Sequence, residues 1–154
     1  KYRPTVIKGN ISECKAFYGL TSHAHGVDAA SDDQEDVYQS VTWLKEIALH
    51  TGCIVVCSGK MDIITDGEQA VIIRNGCEMM GVVTGTGCML NVAIATFLAA
   101  YEPFEACLKA TCYYEVAAEK TKAVGPGTFH MHFMDKIYQL TEEDESFFKV
   151  EVIR

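Results

Sequence analysis

Gly85, Gly87 and Cys88 form the most chemically suggestive cluster in the sequence. They lie in "GVVTGTGCMLNVAIATFLAAY" at 81–101, a stretch of small residues running into an apolar one. The apolar part reads as a helix from about Gly87 to Tyr101. A helix start leaves backbone N–H groups without intrahelical partners and carries partial positive charge. Glycines just ahead let those groups approach an anion closely, and phosphate is the natural guest. A tight turn with packing glycines would be written with the same letters. A cysteine at that mouth stands where the helix field favours thiolate. It could accept a proton from a substrate hydroxyl while the N–H groups stabilise charge on a transferring phosphoryl group. The alternative for Cys88 is a small apolar plug.

Familiar phosphate motifs do not fit. The dinucleotide fingerprint needs a third glycine where Leu90 stands, and no lysine follows at P-loop spacing from Gly81 or Gly85. A C-x5-R phosphatase loop would need arginine where Ile94 stands. What remains is a two-glycine anion hole with an ionisable residue at the start of a helix.

The elements that must hold this turn follow from the hydrophobic pattern. Thr5–Lys8 reads as a short strand. Asn10 can cap the helix after it, with Glu13 as capping-box partner, and Gly19 should end that helix. A loop follows. A second helix from about Glu35 to His50 carries Val37, Val41, Leu44, Ile47 and Ala48 as an apolar stripe, stopped by Gly52. "CIVVC" at 53–57 reads as a strand buried on both faces. "DIITDGEQAVIIR" reads as a hairpin turning at Asp66-Gly67. Pro103 suits the first turn of a helix running to about Lys122. "GPG" at 125–127 breaks the chain, and "TFHMHFMDKIYQL" reads as a last amphipathic helix. The tail "FFKVEVIR" is either a short strand or disordered. The pattern is α/β with a mostly parallel sheet. In such sheets ligands lie off the carboxyl ends of the strands, where Asn10, Ser58 and the 85–88 turn should fall or come near.

Composition bounds the function. A chain of 154 residues fits one domain, and 49% hydrophobic with 22% charged residues is globular. A net charge of -8 with no basic block excludes a nucleic-acid phosphate binder. No apolar run reaches about 18 residues, so no membrane span is expected. The acidic blocks "SDDQED" at 31–36 and "EEDE" at 142–145 read as solvated turns or helix starts. Seven cysteines without a C-x-x-C pair fit neither a zinc site nor a disulfide framework, and most read as buried thiols of a reducing cytosol. The pairs His23/His25 and His130/His132 lack companion ligands, so no metal is expected on them. The start "KYRPTVIKGN", without methionine, reads as the middle of a protein.

"VVTGTGCML" resembles the anion-hole motif of the hydroxyethylthiazole kinases, ribokinase-like enzymes of thiamin salvage. "RPTVIKGNISE", "GVDAAS", "VVCSGKMDIITDG", "NGCEMMGVVTGTGCML" and "VGPGTFHMHFMDKI" agree with that family in order and rough spacing. The resemblance covers residue 3 to about 140 and is most specific at 76–90. It implies a ribokinase-like layered sheet, mostly parallel with an antiparallel hairpin and flanked by helices. Residues 1–154 would then be the C-terminal part of a single kinase domain. The implied reaction is ATP-dependent, magnesium-assisted phosphorylation of the hydroxyl of 4-methyl-5-(2-hydroxyethyl)thiazole in the cytoplasm. The implied assembly is a homotrimer with active sites between subunits, with no nucleic-acid or membrane partner.

The resemblance also assigns residues. Cys88 stands nearest the acceptor hydroxyl, and Gly85, Thr86 and Gly87 cradle substrate and phosphoryl group, with the Gly85 backbone touching substrate. Lys8, where the family usually has arginine, Asn10 and Ser58, where it has threonine, fall on the ATP side. Glu13 ends an N-x-x-E element that supports magnesium, often through water. The loops 26–28 and 124–129 fall around the adenine, although ordinary turn chemistry would read the same. The family carries βαβ units, a methionine-containing pocket and much of the trimer contact ahead of the strand that starts here. A chain with this half alone would therefore not bind the thiazole unaided. A non-catalytic nucleotide-binding or structural module of the same fold is the competing reading. Cysteine redox chemistry lacks a resolving thiol near Cys88 in sequence.

Overall fold

The computed structural model describes residues 3–22 and 36–154. The elements in chain order are β1 (Val6–Asn10), α1 (Ile11–Ser22), α2 (Val37–Thr51), β2 (Ile54–Ser58), β3 (Asp62–Thr65), β4 (Ala70–Ile73), α3 (Met79–Val82), α4 (Thr86–Phe97), α5 (Pro103–Lys120), α6 (Pro126–Gln139), a 3₁₀ helix (Glu142–Phe147) and β5 (Val150–Ile153). They divide into two compact units: Lys1–Ile72 with Glu151–Arg154, and Ile73–Val150.

The first unit is built on the sheet, whose strands lie in the order β1-β2-β3-β4-β5. β1 and β2 are parallel, in register from Val6 opposite Ile54 to Asn10 opposite Ser58. Parallel neighbours need a long crossover, and α1 and α2 lie in it. β3 turns back antiparallel to β2, because residues 59–61 are too few for a crossover. The four-residue link from β3 to β4 likewise permits only a hairpin. The Asp66 carboxylate accepts from the N–H groups of Glu68 and Gln69 in that turn, both at 2.9 Å. The sheet is therefore mixed, with the expected hairpin in place.

α2 carries the expected stripe: Val41, Leu44, Ile47 and Ala48 are buried. It starts at Asp36, whose side chain accepts from Tyr38 N–H, and stops at left-handed Gly52. The stripe packs with Val55, Cys57, Ile63 and Ile72 of the strands, each fully buried large aliphatic contributing about 1.5–3 kcal/mol. α1 runs through Gly19 to Ser22 rather than ending at the glycine. One glycine inside a helix costs it only about 1 kcal/mol, which does not by itself end it. The tail takes the strand alternative, as β5.

The second unit is helical. α5 starts at Pro103, and Ala106, Cys107, Ala110, Tyr114, Val116 and Ala117 along it are buried. α6 contributes buried Phe129 and Phe133, whose rings stack at 5.4 Å. The 3₁₀ helix is tied to α5 by Lys109–Glu145 and Lys120–Asp144 ion pairs.

Candidate functional site

In the first unit the candidate nucleotide side is a strand end. Asn10 and Ser58 are the last residues of parallel neighbours and stand opposite one another. The period of two puts Lys8 on the same face as Asn10 and turns Gly9 to the other face. The Ser58 hydroxyl donates to the Gly9 carbonyl at 3.4 Å. Asn10 passes directly into α1 with the full capping box: its Oδ1 accepts from Glu13 N–H and Glu13 Oε2 accepts from Asn10 N–H, both at 2.8 Å. Glu13 is exposed, and the box engages its Oε2.

Gly9 keeps that junction uncrowded. A β-carbon there would lie 3.1 Å from Glu13 Cβ and 3.3 Å from Cys14 Sγ. Cys14 and Cys57 meet beneath it as a buried thiol pair. The hydrogen bond to Cys57 favours ionisation of Cys14, whereas that bond together with burial pushes Cys57 up.

In the second unit the candidate phosphoryl side is the mouth of α4. Gly85 caps the helix at φ 98°, in the left-handed region that favours glycine. A β-carbon at Gly85 would meet nothing within 4 Å, so backbone conformation alone makes the demand. The helix begins at Thr86, one residue from the expected start at Gly87. Cys88 on its first turn is exposed. Thr86 points the other way: its side chain is buried and donates to the Met80 and Val83 carbonyls at 2.9 and 3.3 Å. Any contact of Thr86 with a phosphoryl group would therefore come from its backbone. Tyr114 of α5, buried against the Phe133 ring, donates its hydroxyl to the Thr86 carbonyl at 2.7 Å.

Lys8, Asn10, Glu13 and Ser58 thus come together in one unit, and Gly85, Thr86, Gly87 and Cys88 in the other. The 26–28 loop, His23 and His25 lie outside the described residues. Loop 124–129 contains the start of α6, where Thr128 Oγ1 accepts from the Val124 and Gly125 N–H groups. His132 Nδ1 lies 2.8 Å from the Lys122 carbonyl, and no cluster of three metal-ligating side chains exists among the described residues. Sequence reasoning missed Tyr114, 28 positions from its acceptor with nothing local to signal the bond.

A mixed sheet with a capped strand end, and a helix mouth bearing glycine and an exposed thiol, make this an α/β fold with polar groups gathered at a strand end and at a helix start. The chain belongs to the hydroxyethylthiazole kinase family, whose model matches residues 1–143. It is 35% identical over 144 residues to hydroxyethylthiazole kinase 2 of Clostridium botulinum strain Langeland, covering 91% of this chain and 54% of that one. It is 37% identical over 161 residues to hydroxyethylthiazole kinase of Pyrococcus furiosus, covering 100% and 58%. The chain spans about half the length of the curated relatives it matches. The solved hydroxyethylthiazole kinase from Pyrococcus horikoshii OT3 superposes with TM-score 0.84 at 29% identity, covering 97% of this chain and 55% of that one. The pyridoxal kinase of Staphylococcus aureus in complex with ADP superposes with TM-score 0.63 at 18% identity, covering 97% of this chain and 52% of that one, and shares the fold.

Proposed function

We propose that this chain serves the transfer of the terminal phosphoryl group of ATP to the hydroxyl of 4-methyl-5-(2-hydroxyethyl)thiazole, a step of thiamin salvage. The observation that carries the reading is Cys88, exposed on the first turn of α4, three residues beyond left-handed Gly85, in a chain of this family. Cys88 accepts the proton of the substrate hydroxyl as its oxygen attacks the terminal phosphorus, and ADP leaves with the bond electrons. The Gly85–Gly87 backbone stabilises charge on the phosphoryl oxygens. Lys8 offers positive charge to the nucleotide phosphates, with Asn10 and Ser58 contributing polar contacts beside it.

Glu13 fits a magnesium role. Its carboxylate is exposed, the capping bond engages Oε2, and magnesium is commonly held by one or two carboxylates together with water and substrate phosphates. Held there by Glu13, the ion would supply positive charge that offsets the charge of the nucleotide phosphates. The same reading carries a cytoplasmic homotrimer with active sites between subunits. No helix among the described residues is long and apolar enough to cross a membrane.

The test is turnover of the thiazole alcohol by the full natural chain and its Cys88→Ala variant, with ATP affinity in parallel. Loss of about 10²–10⁴ in kcat at unchanged ATP affinity is expected of a positioned base. Turnover within a few-fold of wild type would reduce Cys88 to a packing residue.

A further inference from the structure

The mouth of α4 is fastened from two sides at one residue. The Thr86 hydroxyl reaches back to the carbonyls of Met80 and Val83, and its own carbonyl receives the Tyr114 hydroxyl. Neither Thr86 nor Tyr114 is open to solvent, at 8% and 3% exposure. A peptide unit is planar, so the Thr86 carbonyl and the Gly87 N–H share one rigid plane. Holding the carbonyl therefore sets the direction of that N–H and, one residue on, of the Cys88 side chain.

We propose that Tyr114 is a positioning residue for Cys88: its hydroxyl locks the first turn of α4 and so sets where the Cys88 sulfur stands. The inference rests on the reading of Cys88 as the base. Tyr114 suits the task. Its ring meets Phe133 edge-on at 4.8 Å, one contact among those that bury it. Burial pushes the phenol up, so it remains a donor throughout the working pH range. The anchor acts on geometry alone, because Tyr114 donates to the backbone and not to the reacting atoms.

The experiment uses the full natural chain with three substitutions. Tyr114→Phe removes the anchor and keeps the ring. Thr86→Val removes the second anchor at nearly constant volume. Phe133→Leu loosens the packing and keeps both hydrogen bonds. Each is measured for kcat with the thiazole alcohol, KM for ATP, melting temperature, and the rate of Cys88 alkylation by iodoacetamide at one fixed pH, read on the Cys88 peptide by mass spectrometry.

Tyr114→Phe and Thr86→Val should each lower kcat on the order of 10-fold to 10²-fold, as misplaced catalytic groups do. KM for ATP should hold within about twofold, since uniform binding is untouched. The alkylation rate should change in the same two variants. Phe133→Leu should melt earlier while kcat and alkylation stay near wild type. If one anchoring variant fails to fold, the other decides. Folded Tyr114→Phe with wild-type kcat and alkylation overturns the proposal, as does an equal loss of kcat in Phe133→Leu. Undiminished turnover in Cys88→Ala would instead overturn the base reading, and the alkylation rates would still report whether Tyr114 positions the sulfur.

Discussion

Glu13 carries two duties that one substitution can separate. Its Oε2 accepts the Asn10 N–H, and its charge is what a magnesium ion would use. Glu13→Gln keeps an acceptor oxygen and discards the charge. The magnesium concentration needed for half-maximal turnover should rise in the full chain, while stability changes by less than about 1 kcal/mol. A large fall in melting temperature with unchanged magnesium dependence would leave only the cap. Cys88 offers a complementary replacement. Aspartate is ionised at neutral pH and sits favourably on the first turn of a helix, so Cys88→Asp should retain turnover where Cys88→Ala loses it. Equal inactivity of both variants would count against a proton-accepting role. Side chains of this kind were legible because they belong to short local patterns: a thiol behind two glycines, an acid three residues after a cap. Tyr114 was not, since a hydroxyl that meets a distant carbonyl leaves no periodic mark in the chain.

Elements differ in how firmly local chemistry defines them. α2 was readable because stripe and stop agree, in the buried Val41–Ala48 face and left-handed Gly52; its cap, Asp36, lies one residue past the expected start at about Glu35. α3 escaped notice because four residues make one turn, and Glu78 at its start gives no side-chain cap. By its sequence the acidic run at 142–145 reads as a solvated turn or helix start. It is a 3₁₀ helix with a capping box between Thr141 and Asp144, fastened to α5 by lysines the local sequence does not contain. That fastening predicts an acid response. The hydrogen bond from Lys120 holds the Asp144 carboxyl below the ordinary carboxylate range, and Lys109 and Tyr113 do the same for Glu145. The unfolded chain then binds more protons than the folded one between the lowered and ordinary values. The stabilisation is complete above a pH of about 4 and is lost as pH falls through the lowered values. Asp144→Asn should flatten the acid side of a melting-temperature profile; an unchanged slope there would show that the staple contributes nothing. The turn before α3 is less forgiving. Gly76 has φ 111°, and a β-carbon on it would fall 2.2 Å from Oε2 of buried Glu115. Gly76→Ala should cost at least about 1–3 kcal/mol from backbone strain alone, measured by urea unfolding.

At the scale of the whole molecule, the seven cysteines sort by depth. Cys14, Cys53, Cys57, Cys107 and Cys112 are buried, Cys77 is half-buried and Cys88 is exposed. Burial also pushes Cys107 up to about 12, which keeps it protonated and inert. A thiol titration of the folded chain should show Cys88 reacting first, Cys77 more slowly, and the other five only in denaturant. Fast reaction of several thiols in the native state would contradict this packing. The composition suggested buried thiols as a group, but could not say which one faces solvent, because depth depends on what the fold lays over each residue. The lone exposed thiol has a consequence for valency. A molecule whose one exposed sulfur reacts far faster than its half-buried one forms a single bond there before a second can follow. Exposed to air, copies of this chain should join in pairs at Cys88 and stop, leaving a discrete reducible doublet on a gel and no ladder of higher species.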